Sequence, residues 1–118
     1  MSNNITLLGY KKNIFPYFKY AKGFILSSLW EDPGFVLIEA AFCRTPVFSS
    51  DAKPSPSELI ENDYNGTTFQ NNDKNSFLKN FKNYLDNSKD KKIILNNLKL
   101  SKRFTIFNHY KKLSNLIV

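Results

Sequence analysis

The sequence predicts a single α/β domain: a parallel sheet of three or four strands flanked by helices, followed by a helical C-terminal segment. Three observations lead there. Short apolar, β-rich runs alternate with helical stretches through residues 1–70, an order that implies parallel strands joined by right-handed crossovers. The run Phe24-Ile25-Leu26 is apolar without alternation, as in a strand covered on both faces. Past residue 71, apolar residues recur every three or four positions, the period of a helix.

The elements follow in order. Ile5-Thr6-Leu7-Leu8 is a candidate strand closed by Gly9, and residues 13–20 a short helix with Pro16 near its start. Gly23 to Ser27 is the second strand. Asp32-Pro33-Gly34 then reads as a helix start, because Asp is a favoured N-cap and Pro suits the first helical position. The helix over 34–43 is apolar nearly all round, which predicts burial on every face. Its one charge, Glu39, would cost several kcal/mol, roughly, if buried without a hydrogen-bond partner. Arg44-Thr45 ends the helix, and residues 46–49 form a third strand. A short helix over 56–61, a turn at Asn65-Gly66 and a short strand at 67–69 complete the sheet region.

Three amphipathic stripes follow, predicting three helices that close the small sheet: Phe77, Phe81, Tyr84 and Leu85; then Ile93 to Leu100; then Phe104, Phe107, Tyr110, Leu113 and Ile117. Neither a repeat nor a long linker divides the chain. Residues 1–118 are therefore one domain, with a sheet part at 1–70 and a helical part at 71–118.

Composition excludes several classes. One cysteine, Cys43, rules out an intrachain disulfide, and one histidine, His109, rules out a histidine-cluster metal site. Cys43 is expected as a small buried core residue and Trp30 as a packing residue. The net charge of +7 is uneven: residues 1–70 carry −1 and residues 71–118 carry +8. Such a basic third can favour an anionic membrane surface. Asp90 interrupts Lys89, Lys91 and Lys92, and no nucleic-acid-binding signature accompanies them, so no nucleic acid is expected. With no long apolar run and no signal peptide, a cytoplasmic protein is expected, with peripheral contact at the inner face of the membrane.

In open parallel sheets, ligands bind beyond the carboxyl ends of the strands. The loops at 9–13, 27–33 and 49–58 are expected at that edge, bringing Ser27, Ser28, Glu31, Ser49, Ser50, Asp51, Ser55, Ser57 and Glu58 together beside a helix N-terminus, itself suited to phosphate.

The runs SLWEDPGFVLIEA, TPVFSSDAKPSPSEL and NDYNGTTF resemble the nucleotide-binding C-terminal half of retaining glycosyltransferases with two Rossmann-like domains. The likeness is greatest to family 4, whose members build lipopolysaccharide and capsule, and it extends over nearly the whole chain. It implies a Rossmann-like domain, a partial version of that family's second domain. It places Glu31 at the donor sugar as the catalytic glutamate and Glu39 on the nucleotide ribose. Backbone N–H groups of Gly34 and Phe35 would meet the diphosphate, with Ser28 and Glu58 as further donor contacts. Asp32-Pro33 after Glu31, and Ser55 where the family often has glycine, depart from its common pattern.

The resemblance implies hexosyl transfer from a nucleoside diphosphate sugar, with no cofactor and no metal. The acceptor domain and the Arg/Lys pair that neutralises the diphosphate have no counterpart in the sequence. Lys11, Lys12 and Lys53 are the available substitutes. A truncated or split enzyme is therefore expected, which pairs with an N-terminal acceptor domain or self-associates. The alternative is a non-catalytic sugar-nucleotide-binding remnant, or an interaction module docking on a membrane-associated partner.

Overall fold

The computed structural model describes residues 4–117, with side chains to Leu116; Ser2, Asn3 and the Ile117 side chain of the third stripe lie outside it. Three parallel strands form the sheet: β1 (Phe24–Leu26), β2 (Val47–Ser50) and β3 (Thr67–Phe69), in that spatial order. Phe24 is opposite Val47, and Phe48 opposite Thr67. Around the sheet lie α1 (Phe15–Tyr20), α2 (Phe35–Phe42), α3 (Ser55–Leu59), α4 (Lys74–Asn87) and α5 (Lys91–Ser101). A 3₁₀ turn, η1 (Lys102–Phe104), leads into α6 (Ile106–Ile117).

The period of two in β2 divides the core between two faces. Val47 packs with Phe18, Leu37, Ala40 and Ile60 on the face covered by α1 and α2. Phe48 points the other way, into Phe69, Phe77, Phe81 and Tyr84. Its ring centroid lies 4.8 Å from Phe69 and 5.1 Å from Tyr84, the spacing of favourable aromatic pairs. Burying side chains of the size of Leu37 and Phe48 is worth about 1.5–3 kcal/mol each. Asp73 caps α4 by accepting from Ser76 N at 2.9 Å, and Asp90 caps α5 by accepting from Lys92 N at 2.7 Å. These two bonds separate what periodicity alone reads as adjoining helical runs.

Five expectations change. Ile5–Leu8 forms no strand, and Ile5, Leu7 and Leu8 are exposed; a short extended run needs a neighbour to pair with, and the sheet ends at β1. The N-cap of α2 is Gly34, not Asp32: it sits at φ +67°, left-handed backbone that glycine adopts without steric cost, and the helix starts after Pro33. Nor is α2 buried on every face. It packs against α1, β2 and α5, but Phe35 and Phe42 are exposed and Glu39 is half-buried. The fourth change concerns Cys43, which is half-buried where a fully buried residue was expected.

The fifth is α6, which does not close the sheet. Ile106, Phe107, Tyr110, Leu113 and Leu116 remain exposed along it. The molecule measures 57 × 30 × 28 Å, and its radius of gyration of 15.4 Å exceeds the roughly 13–14 Å of an equally long compact chain.

Candidate functional site at the carboxyl edge of the sheet

All three strands end at one edge, and hydrogen bonds tie the loops leaving them into one unit. The loop after β1 forms a parallel bridge, Glu31 to Pro54, with the loop after β2. Ser55 N donates to Glu31 O at 3.2 Å, and Ser50 Oγ donates to Ser28 O at 2.7 Å. The loop after β3 joins through Asn71, whose N–H donates to Asp51 Oδ1 and whose side-chain amide donates to Leu29 O, both at 2.6 Å.

Within this frame, Ser28 Oγ donates to Glu31 Oε2 at 2.8 Å, so two of the expected site residues meet directly. The second oxygen of Glu31 keeps its capacity to accept. Gly34 lies against α3: a Cβ there would press on Ser55 Oγ, which donates to Pro33 O at 2.6 Å. This contact seats the start of α2 beside the loops. Leu37 N is bonded to Gly34 O at 3.0 Å, while the first-turn N–H groups before it are the orphan donors of any helix start.

Glu39 lies further along α2, on the open face between Phe35 and Phe42. Burial raises the pKa of the Cys43 thiol, one turn on, and the Glu39 carboxylate raises it further, with Lys19 opposing. Glu58 is exposed on α3 and shares a cleft with Phe35.

Several residues read as ligand-facing are instead structural. Ser49, Ser50 and Ser55 are buried, and their hydroxyls are spent on the carbonyls of Ser50, Ser28 and Pro33. Trp30, expected to pack, is 69% exposed beside Glu31. Lys53 belongs to the bridged loop, its carbonyl receiving Glu31 N at 3.5 Å. Lys11 and Lys12 are exposed in the segment before α1. The residues that sequence reasoning missed are Asn71, which locks the loops, and Arg103 and Lys112, which line the cleft beside Phe35. The asparagine in the loop after β3 was the one legible signal.

Among the described residues, no three His, Cys, Asp or Glu side chains gather as a metal site. No helix among them is long and apolar enough to cross a membrane.

A parallel sheet with helices on both faces and polar loops knitted at its carboxyl edge defines a Rossmann-like ligand-binding class. The sequence profile described as glycosyl transferases group 1 matches residues 1–100, and the chain belongs to that family. An uncharacterised glycosyltransferase of Methanocaldococcus jannaschii is 42% identical over 60 residues, which are 51% of this chain and 15% of that protein. The N-acetylgalactosamine-N,N'-diacetylbacillosaminyl-diphospho-undecaprenol 4-alpha-N-acetylgalactosaminyltransferase of Campylobacter jejuni is 28% identical over 99 residues. Those cover 84% of this chain and 27% of that enzyme. The chain thus spans less than a third of either relative.

Solved structures share the fold. TarM superposes with a TM-score of 0.75 at 22% identity, over 91% of this chain and 22% of its own. The C-terminal domain of a group 1 glycosyltransferase, LpcC, from Francisella tularensis gives 0.70 at 21% identity, over 86% of this chain and 53% of its own.

Proposed function

We propose that this chain is the donor-binding part of a retaining glycosyltransferase of family 4, corresponding to the C-terminal half, and that it binds a nucleoside diphosphate sugar. The observation that carries the reading is the knitted carboxyl edge, where Ser28, Glu31 and the start of α2 are held together by the Glu31–Pro54 bridge. Glu31, oriented by Ser28, faces the donor hexose. The N–H groups of Gly34 and Phe35 meet the diphosphate, where a helix start favours anions. Glu39, on the open face of α2, takes the ribose hydroxyls, and Glu58 flanks the nucleotide. The chemistry is front-face displacement at the anomeric carbon with diphosphate as leaving group, without a metal.

The Campylobacter relative's name specifies a diphospho-undecaprenol-linked acceptor, which supports a role in membrane-associated glycan synthesis, as for lipopolysaccharide or capsule. The basic residues 71–118 are suited to a peripheral position on the inner membrane face. The exposed apolar residues of α6 support an acceptor-domain partner or self-association.

Holding donor and acceptor together can supply about 7–11 kcal/mol of barrier reduction, and this chain holds the donor only. Isolated, it is expected to bind sugar nucleotides weakly and to transfer no sugar at a useful rate. The test is to incubate it with several sugar nucleotides and a membrane extract, with and without a candidate acceptor-domain protein. Transfer restored by that protein supports a split enzyme; robust transfer by the chain alone overturns the reading. Binding without transfer in either arm favours the second reading, a non-catalytic sugar-nucleotide-binding remnant.

A further inference from the structure

A cleft of about 650 Å³ opens between the start of α2, the end of α3 and the η1–α6 junction. Phe35, Glu58, Arg103, Phe104, His109 and Lys112 line it. We propose that this cleft is an oligophosphate site in which Arg103 and Lys112 supply the positive charge for the diphosphate of a nucleotide donor.

Two cations from different elements, η1 and α6, converge on one concavity. Among the described residues, neither side chain makes a hydrogen bond or an ion pair, with Glu58 in the same cleft included. A guanidinium matches two phosphate oxygens in a bidentate fork, and a lysine ammonium adds a mobile point charge. The cleft reaches Phe35, the first residue of α2, where the orphan first-turn N–H groups favour the same anion. Phe35 and Phe104 are 61% and 48% exposed, leaving ring faces open to a base. The size lies within the roughly 300–1,000 Å³ of ordinary ligand sites. Lys11, Lys12 and Lys53 do not line this cleft. Diphosphate is a dianion or more at neutral pH, and a leaving group of that charge requires cations placed before the bond breaks.

The nucleotide form of this proposal rests on the donor-binding reading above, whereas the anion site does not. Calorimetric titration of the full chain with inorganic pyrophosphate, and with uridine, guanosine and adenosine diphosphates, tests both. Arg103 and Lys112 are exposed, so Arg103→Gln and Lys112→Gln are expected to fold normally. Each is expected to weaken pyrophosphate and the preferred nucleotide about five- to tenfold, the scale of a charge-assisted phosphate contact. Lys82→Gln, an equal charge change on α4, is expected to alter neither. Nucleotide binding weakened by Glu39→Gln but indifferent to both cleft variants would overturn the cleft and leave the donor reading standing. Pyrophosphate binding that needs both cations, in a chain binding no nucleoside diphosphate more tightly, would keep the cleft and sink the donor reading. An equal loss in Lys82→Gln would overturn the site in favour of diffuse attraction, and no binding of any probe would overturn both.

Discussion

Ser28 Oγ is bonded to Glu31 Oε2 at 2.8 Å, and the carbonyl of the same serine accepts from Ser50 Oγ at the end of β2. Glu31 is thus oriented from within its own loop, and Ser50 anchors that loop to the end of β2. Ser28→Ala is expected to cost about 0.5–1.5 kcal/mol of stability, the usual worth of one such bond. It is expected to remove the affinity advantage of a sugar nucleotide over its bare nucleoside diphosphate while leaving the latter's affinity unchanged. Parallel titrations with the two ligands check this, and equal weakening of both would place Glu31 away from the sugar.

Glu39 and Cys43 are one turn apart on α2, and the carboxylate helps to keep the thiol protonated. Glu39→Gln is expected to preserve the fold, because the amide has nearly the same shape. It is expected to weaken nucleotide binding by about 1–3 kcal/mol, the scale of a lost charge-assisted hydrogen bond. The same change lowers the thiol pKa, so Cys43 should alkylate faster at mildly alkaline pH. Faster alkylation with unaltered nucleotide affinity would place Glu39 correctly on the helix and remove it from the ribose.

Gly23 is held small by a neighbour distant in sequence. A Cβ there would overlap the hydroxyl of Tyr84, whose ring is fixed against Phe48 and whose O–H points to Pro46 O at 3.4 Å. Gly23→Ala is expected to destabilise the protein by about 1–3 kcal/mol, as overpacking a close-packed core does. Tyr84→Phe in the same chain should return part of that loss by removing the overlapping oxygen. Denaturant midpoints of the four proteins in the cycle check the coupling, and strict additivity would refute it.

Burial raises the pKa of Tyr84 above its ordinary value of 10.0. Above that pH the unfolded phenol ionises while the native one keeps its proton. The native state then binds more protons, and stability falls as pH rises towards the native pKa. A stability profile from neutral to strongly alkaline pH is expected to fall more steeply in the wild type than in Tyr84→Phe.

Periodicity made most of the fold legible. The apolar run at Phe24–Leu26, the helical stripes and the Thr67–Phe69 run each formed where pattern placed them. What failed was everything that depends on a neighbour. Ile5–Leu8 has strand composition but no strand beside it, and α2 has an apolar composition but no layer over Phe35 and Phe42. Hydroxyl groups were visible, but not their direction: Ser49, Ser50 and Ser55 turn inward to carbonyls, whereas Ser28 turns to Glu31. Arg103 and Lys112 looked like surface charge because only the kink at η1 brings them beside Phe35.

The amides of Ser55, Asp51 and Asn71 are all hydrogen-bonded in the knitted edge, to Glu31 O, Phe69 O and Asp51 Oδ1. None of the three lies in regular sheet, yet each bond crosses from one loop or strand end to another. Freeing any one of them means parting two segments at once, so their hydrogen exchange should be slow and closely matched, as within one cooperative opening unit. The loops would then be ordered before any ligand arrives, and association would carry little of the entropic penalty of folding a mobile rim.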